Sequence, residues 1–263
     1  MNYDTGSDPR ISLEKSDRMS REDCFQFYCG PSVPCFTECC RKLDLTLTPY
    51  DVMRLCKRLD VSSSDFLDDY AVIRGVSRHG FPEVSLKMDT RDENLCPFVA
   101  SSGCNVYDDR PGACRIYPLG RASSKNRSTD ANEEFYFVVK EEHCRGFEQA
   151  KNWMVNEWIS DQDLDLYNRL NDELMELYML GFRRGSAEFS TQQLQMFMMA
   201  CYNLPKFRDF VFRTSFLRKF ELSPEQIELI RQNDLSLLEF AFKWLKFALF
   251  GIPVLELKGA NQG

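Results

Sequence analysis

Ten of the eleven cysteines lie between Cys24 and Cys144, and only Cys201 falls beyond them. That crowding limits what the N-terminal half can fold around. Disulfide frameworks belong to short secreted chains with paired cysteines, whereas this chain has 263 residues and an odd count. Its opening, MNYDTGSDPRISLEKSDRMS, holds no apolar stretch of the kind that directs secretion. The expectation is a cytoplasmic chain whose thiols stay reduced, and clustered reduced thiols point to metal.

The spacing narrows the set. Cys24 to Cys40, CFQFYCGPSVPCFTECC, contains Pro31 and Pro34. Each proline removes a backbone donor and fixes φ, so the segment reads as a loop wrapped around something. Cys29, Cys35, Cys39 and Cys40 come from this loop. Cys96 and Cys104 come from two arms of a hairpin turning at Ser101-Ser102-Gly103. Cys114 follows the breaker Asp109-Arg110-Pro111-Gly112, and Cys144 ends a strong strand. These eight thiols suffice for two four-ligand sites or one polynuclear site.

Soft thiolate donors select zinc, copper(I) or iron–sulfur clusters. Side chains of neighbouring residues diverge, so Cys39 and Cys40 suit different metal atoms or different sites. Gaps of five, three and no residues from Cys29 to Cys40 fit a zinc ribbon poorly. The balance moves toward an iron–sulfur centre, with zinc as the alternative. Cys56, on a helical stripe with Val52, Leu55 and Leu59, and Cys201, in an apolar helix, read as core. Cys24 is left outside the set.

Around the cysteines, Arg110 and Arg115 flank the metal turn, either offsetting thiolate charge or pairing with Asp108 or Asp109. Tyr107 and Tyr117 read as core packing, with hydrogen bonding to sulfur as the alternative. His143 stands beside Cys144 as a candidate ligand, while His79 before Gly80 reads as loop. Two histidines argue against a His-based catalytic dyad, and no phosphate-binding loop, dinucleotide fingerprint or nucleophile elbow occurs. No catalytic residue is identified.

The pattern predicts a mostly α chain with a small β component, a cysteine-rich loop-and-strand lobe followed by a helical lobe. Residues 1–20 read as a flexible tail, 21–147 as a cysteine-cluster metal-binding domain and 148–263 as a helical domain. Thr48-Pro49 and Ser62 to Ser64 start helices, and 82–88 and 134–140 read as strands. Residues 121–133 read as a polar exposed loop. Helices are expected near 148–160, 161–184, 190–203, 206–220, 223–232 and 234–250. A 43% apolar fraction is ample for a core. The net charge of -7 disfavours nucleic acid, since no basic patch offsets it. Leu237 to Leu249 is too short for a membrane span and is interrupted by Glu239, Lys243 and Lys246, so that helix is expected to be buried between others or at a protein partner's surface.

The pieces PCFTECC (34–40), LTPYDVMRLCKRL (47–59), LCPFV with GCNVYDDRPGACRIYPLG (95–120) and HCRGF (143–147) resemble the YkgJ-type cysteine-cluster family of zinc- or iron-chelating domains. The resemblance spans roughly 29–147. It implies metal-site cysteines at Cys35, Cys39, Cys40, Cys96, Cys104, Cys114 and Cys144, with Cys29 as the eighth. The sequence departs from the commoner family form, whose first cysteines are spaced by two residues. A more distant likeness reaches a flagellin lysine methylase with a related cysteine cluster, which implies a protein substrate as a minor alternative.

Overall fold

The computed structural model describes residues 17–125, 132–185 and 188–258; residues 1–16 of the expected tail and 126–131 of the expected loop lie outside them. In chain order the strands are β1 (Cys24–Gln26), β2 (Ala71–Val76), β3 (Pro82–Leu86), β4 (Val99–Ala100), β5 (Gly103–Cys104), β6 (Leu119–Lys125), β7 (Asn132–Val138) and β8 (Asn152–Met154). The helices are α1 (Pro49–Leu59), α2 (Ser63–Tyr70), α3 (Gly112–Ile116), α4 (Val155–Asp161), α5 (Leu164–Arg183), α6 (Thr191–Tyr202), α7 (Leu204–Arg213), α8 (Pro224–Gln232) and α9 (Asp234–Phe250). The protein is mostly α with a small β component, its strands pairing two by two. Two compact units divide the chain: 17–38 with Ala113–Asp165, and Cys39–Gly112 with 166–258. Each draws on sequence from both sides of residue 148.

In the first unit β1 pairs antiparallel with β8, Cys24 opposite Met154 and Gln26 opposite Asn152. Helix α4 buries Val155, Trp158 and Ile159. The Trp158 ring meets Phe25 and Phe27 edge-on, and its Nε1–H donates to the Ile116 carbonyl at 3.0 Å. Strands β6 and β7 form a ladder from Leu119 opposite Val138 to Lys125 opposite Asn132. The Met19 N–H donates to the Tyr136 carbonyl at 2.7 Å, and the Tyr136 N–H returns a bond to Met19 at 2.9 Å.

Two expectations change here. Residues 121–125 are strand rather than loop. Buried Leu119 and Tyr136 supply the apolar contacts, and the Glu134 carboxylate accepts from Arg121 at 2.7 Å and from Arg21 at 2.6 Å. The stretch expected as helix from 148 begins instead as β8, because its register is set by β1, more than a hundred residues earlier.

The second unit is built on well-capped helices. Thr48 and Asp51 form a reciprocal capping box at α1: Thr48 Oγ1 accepts the Asp51 N–H at 3.3 Å, and Asp51 Oδ2 accepts the Thr48 N–H at 2.8 Å. Ser62, Ser190, Ser223 and Asn233 cap α2, α6, α8 and α9. Strands β2 and β3 form a hairpin whose register breaks between Arg74 and Val76; Val72, Ile73 and Val76 are exposed, and Arg74 pairs with Asp44 at 2.6 Å. Phe81 lies stacked against Phe189 and Phe197 at 4.6 and 4.3 Å. Helix α9 is buried along Leu237, Leu238, Phe240, Ala241, Phe242, Trp244, Leu245 and Leu249. Its Lys246 ammonium reaches Glu173 and Glu176 of α5, both at 2.6 Å.

His79, expected as an ordinary loop residue, stacks on the Tyr178 ring at 3.7 Å and 7°. Among the described residues no helix is long and apolar enough to cross a membrane.

Candidate metal centre

The first unit carries Cys29, Cys35, Cys114 and Cys144. Phe27, 2% exposed, anchors the loop that leads to the first two. Its N–H donates to the Lys151 carbonyl at 2.8 Å, and the Tyr28 N–H donates to the Gly146 carbonyl at 3.1 Å. The chain around Cys144 is thereby held beside the Cys29–Cys35 loop. Only glycine fits at 146, since a Cβ there would enter the Phe27 ring and lie 2.9 Å from the Tyr28 carbonyl oxygen. The Arg145 N–H donates to Cys35 Sγ at 3.1 Å, the contact a thiolate ligand receives from its surroundings. Cys114 sits in α3, fixed by the Trp158 bond and by buried Arg115, whose Nη1 donates to the Gln162 carbonyl at 2.6 Å. His143 is half-exposed, with Nε2 3.4 Å from Glu141.

The second unit carries Cys39, Cys40, Cys96 and Cys104. Cys39 and Cys40 lie in a single 3-10 turn, Glu38–Cys40. The Cys96 N–H donates to the Cys40 carbonyl at 2.8 Å, and the Lys42 N–H to the Asn94 carbonyl at 2.9 Å. These bonds clip the cysteine pair to the strand-turn segment before β4. Cys104, on β5, pairs with Val99 on β4. Burial pushes the Cys96 thiol up to about 11, with the nearby sulfurs of Cys104 and Cys39 adding to the rise. Burial also raises Cys104, and the charges of Arg110 and Arg58 work against that rise. Cys39, Cys96 and Cys104 therefore share one electrostatic neighbourhood, in which a cation would relieve the cost of charged sulfur.

Seven of the eight candidates are part-buried and Cys29 is exposed. Among the described residues no group of three or more His, Cys, Asp or Glu side chains is arranged to hold a metal ion. The donor chemistry, thiols carried on loops with the Arg145 N–H donated to Cys35 sulfur, fits a soft metal. Cys56 and Cys201 are buried on α1 and α6, and burial raises both thiols, Cys56 to about 11. Cys24 is exposed on β1.

Of the flanking residues, Arg110 is buried, with its guanidinium 3.8 Å above the Tyr107 ring and Nη1 donating to the Tyr107 carbonyl at 2.5 Å. Tyr107 itself is 56% exposed, so it is not core: it serves as the platform for Arg110. Tyr117 packs edge-on against Phe27 at 5.8 Å.

Sequence reasoning missed the polar stripe of α1. Asp51, Arg54 and Arg58 all bond to the segment between Cys104 and Cys114. Their i, i+3, i+7 spacing was the available signal, though nothing local says what the stripe faces.

Residues 28–150 match the CxxCxxCC family model, described as "Putative zinc- or iron-chelating domain". The match is to the same kind of domain that the cysteine motifs resemble. The CxxCxxCC segment takes in all eight candidate ligands and leaves out Cys24 and Cys201. No curated protein and no solved structure matches the chain.

Proposed function

We propose that this is an iron–sulfur protein whose cluster or clusters are held by Cys29, Cys35, Cys39, Cys40, Cys96, Cys104, Cys114 and Cys144, serving a redox or protein-modifying reaction. The observation that carries the reading is the partition of these thiols. Four belong to one unit and four to the other, and four thiolates are the usual complement of one cluster. Such a cluster, when bound, supplies one-electron chemistry. The chain's own residues tune it: the Arg145 N–H withdraws charge from Cys35 sulfur, and Arg58 and Arg110 offset charge near Cys104.

The test is expression and purification without oxygen, followed by visible absorption, electron paramagnetic resonance and assay of iron and acid-labile sulfide. Iron and sulfide in matching amounts, lost on replacing Cys39 or Cys114 with serine, support the reading. A colourless protein with stoichiometric zinc and no labile sulfide overturns it.

Zinc is the second reading. The family description names it beside iron, and the Cys96–Cys104 hairpin clipped to Cys40 is a scaffold that metal would stabilise directly. On that reading the helices of the C-terminal half present a surface to a protein partner. A lysine-modifying role rests on the distant resemblance alone, and an unchanged set of protein modifications in a strain lacking the chain counts against it.

A further inference from the structure

We infer that α1 is the positioning element of the metal turn, with Asp51, Arg54 and Arg58 holding the segment that joins Cys104 to Cys114. The inference rests on the reading of these cysteines as ligands.

Segment 105–112 supplies few of its own backbone bonds: Asp109 N–H to the Val106 carbonyl at 2.8 Å, and a long bond from Arg110 to Tyr107 at 3.4 Å. It draws others from outside, the Asn105 N–H donating to the Phe98 carbonyl at 2.8 Å and several side chains of α1 reaching across. Arg58 Nη2 donates to the Asn105 carbonyl at 3.0 Å, immediately after Cys104. Arg54 donates through Nε to Asp109 Oδ1 at 2.7 Å and through Nη2 to the Asp108 carbonyl at 3.2 Å. Asp51, 2% exposed, accepts the Gly112 N–H on Oδ1 at 2.8 Å, at the first residue of α3 and two before Cys114. Positions i, i+3 and i+7 lie on one helical face, so three side chains of a rigid rod touch the end, middle and beginning of the segment in turn.

The geometry explains two otherwise unrelated choices. Asp51 serves two masters: Oδ2 closes the capping box with Thr48, and Oδ1 docks Gly112. The same carboxylate that starts α1 therefore sets the height of the metal turn above it. Gly112 lies close under Tyr167: a Cβ there would stand 3.1 Å from the ring, which would have to give by a few tenths of an ångström. Tyr167 in turn donates its hydroxyl to the Arg110 carbonyl at 3.3 Å. Groups that orient ligands are worth about 10–100-fold in metal affinity.

The experiment compares the whole unmodified chain with Arg54→Met/Arg58→Ala, Arg54→Lys and, on the same helix, Lys57→Ala. Zinc serves as the probe metal in a chelator competition. Alkylation of the metal-free proteins, followed cysteine by cysteine by mass spectrometry, reports the local effect. The double variant is expected to bind zinc about 10–100-fold more weakly, to alkylate faster at Cys104 and Cys114, and to keep Cys56 and Cys201 protected. Arg54→Lys should recover part of the affinity, and Lys57→Ala should match the unmodified chain. Unchanged zinc affinity in the double variant overturns the inference. So does equal exposure of Cys56 and Cys201, since the stripe would then merely hold the fold. An unmodified chain that binds neither zinc nor iron sinks the parent reading instead.

Discussion

Two glycines and one histidine carry more of this protein than their size suggests. Gly181 lies inside α5, where glycine normally weakens a helix, yet a Cβ there would strike the His79 carbonyl. Gly146 is held by the Phe27 ring and the Tyr28 carbonyl. Alanine at either position should cost roughly 3 kcal/mol, the upper range for overpacking, because backbone must move. Urea midpoints check this, and a loss well under 1 kcal/mol would show that the helix or loop yields freely. His79 predicts a pH effect. Burial beside Tyr178 lowers its pKa from the ordinary 6.5, and the Glu83 carboxylate, which pulls the other way, is outweighed. The folded chain therefore takes up the proton less readily than the unfolded chain. Stability is full above about 6.5 and falls as acid carries the pH down through the lower folded value. Denaturation at pH 7.5 and 5.5 should show a loss that His79→Phe, which keeps the stacking, largely removes.

At the scale of elements, α5 and α9 are joined by one ammonium between two carboxylates. Lys246 is 9% exposed, whereas Glu173 and Glu176 are 40% and 46% exposed. Either glutamate alone still partners the lysine, so Glu173→Gln or Glu176→Gln should cost under about 1 kcal/mol. Both together strand a buried charge and should cost roughly 3 kcal/mol. Adding Lys246→Met to the double variant should restore most of that loss; additive single costs would show the clamp to be inert. Elements like these were largely legible in the sequence, since Thr48-Pro49, Ser223-Pro224 and Asn233-Asp234 announce helix starts through bonds made within a turn. What escaped was non-local. Arg121-Ala122-Ser123 is strand only because β7 lies beside it, and Trp153 is strand only because of Phe25. For the site, the eight candidate cysteines stand out in the sequence, and all of them fall within the matched family segment. The roles of Asp51, Arg54 and Arg145 were not, because each acts on a residue about fifty or more positions away.

For the molecule as a whole, metal and chain order should be linked. Segments 28–44 and 89–97 hold turns, isolated bridges and left-handed residues such as Thr37, Lys42, Glu93 and Asn94, rather than long ladders. A metal bound by their thiols would add folding energy there. Stripping it with chelator under reducing conditions should open these segments to limited proteolysis while fragments spanning α6 to α9 persist. Equal resistance with and without metal would mean that the loops stand unaided. The break in register between Arg74 and Val76 has a consequence of another kind. Among the described residues β2 pairs only with β3, so its other edge, carrying Val72, Ile73 and Val76, is a ready template for a second chain. The kink at Gly75 and the Arg74 charge blunt that edge. Arg74→Val with the bulge removed by deleting Gly75 should leave light scattering rising with concentration where the unmodified protein stays clear. Unchanged scattering in that variant would show that the two-residue irregularity does not guard the edge.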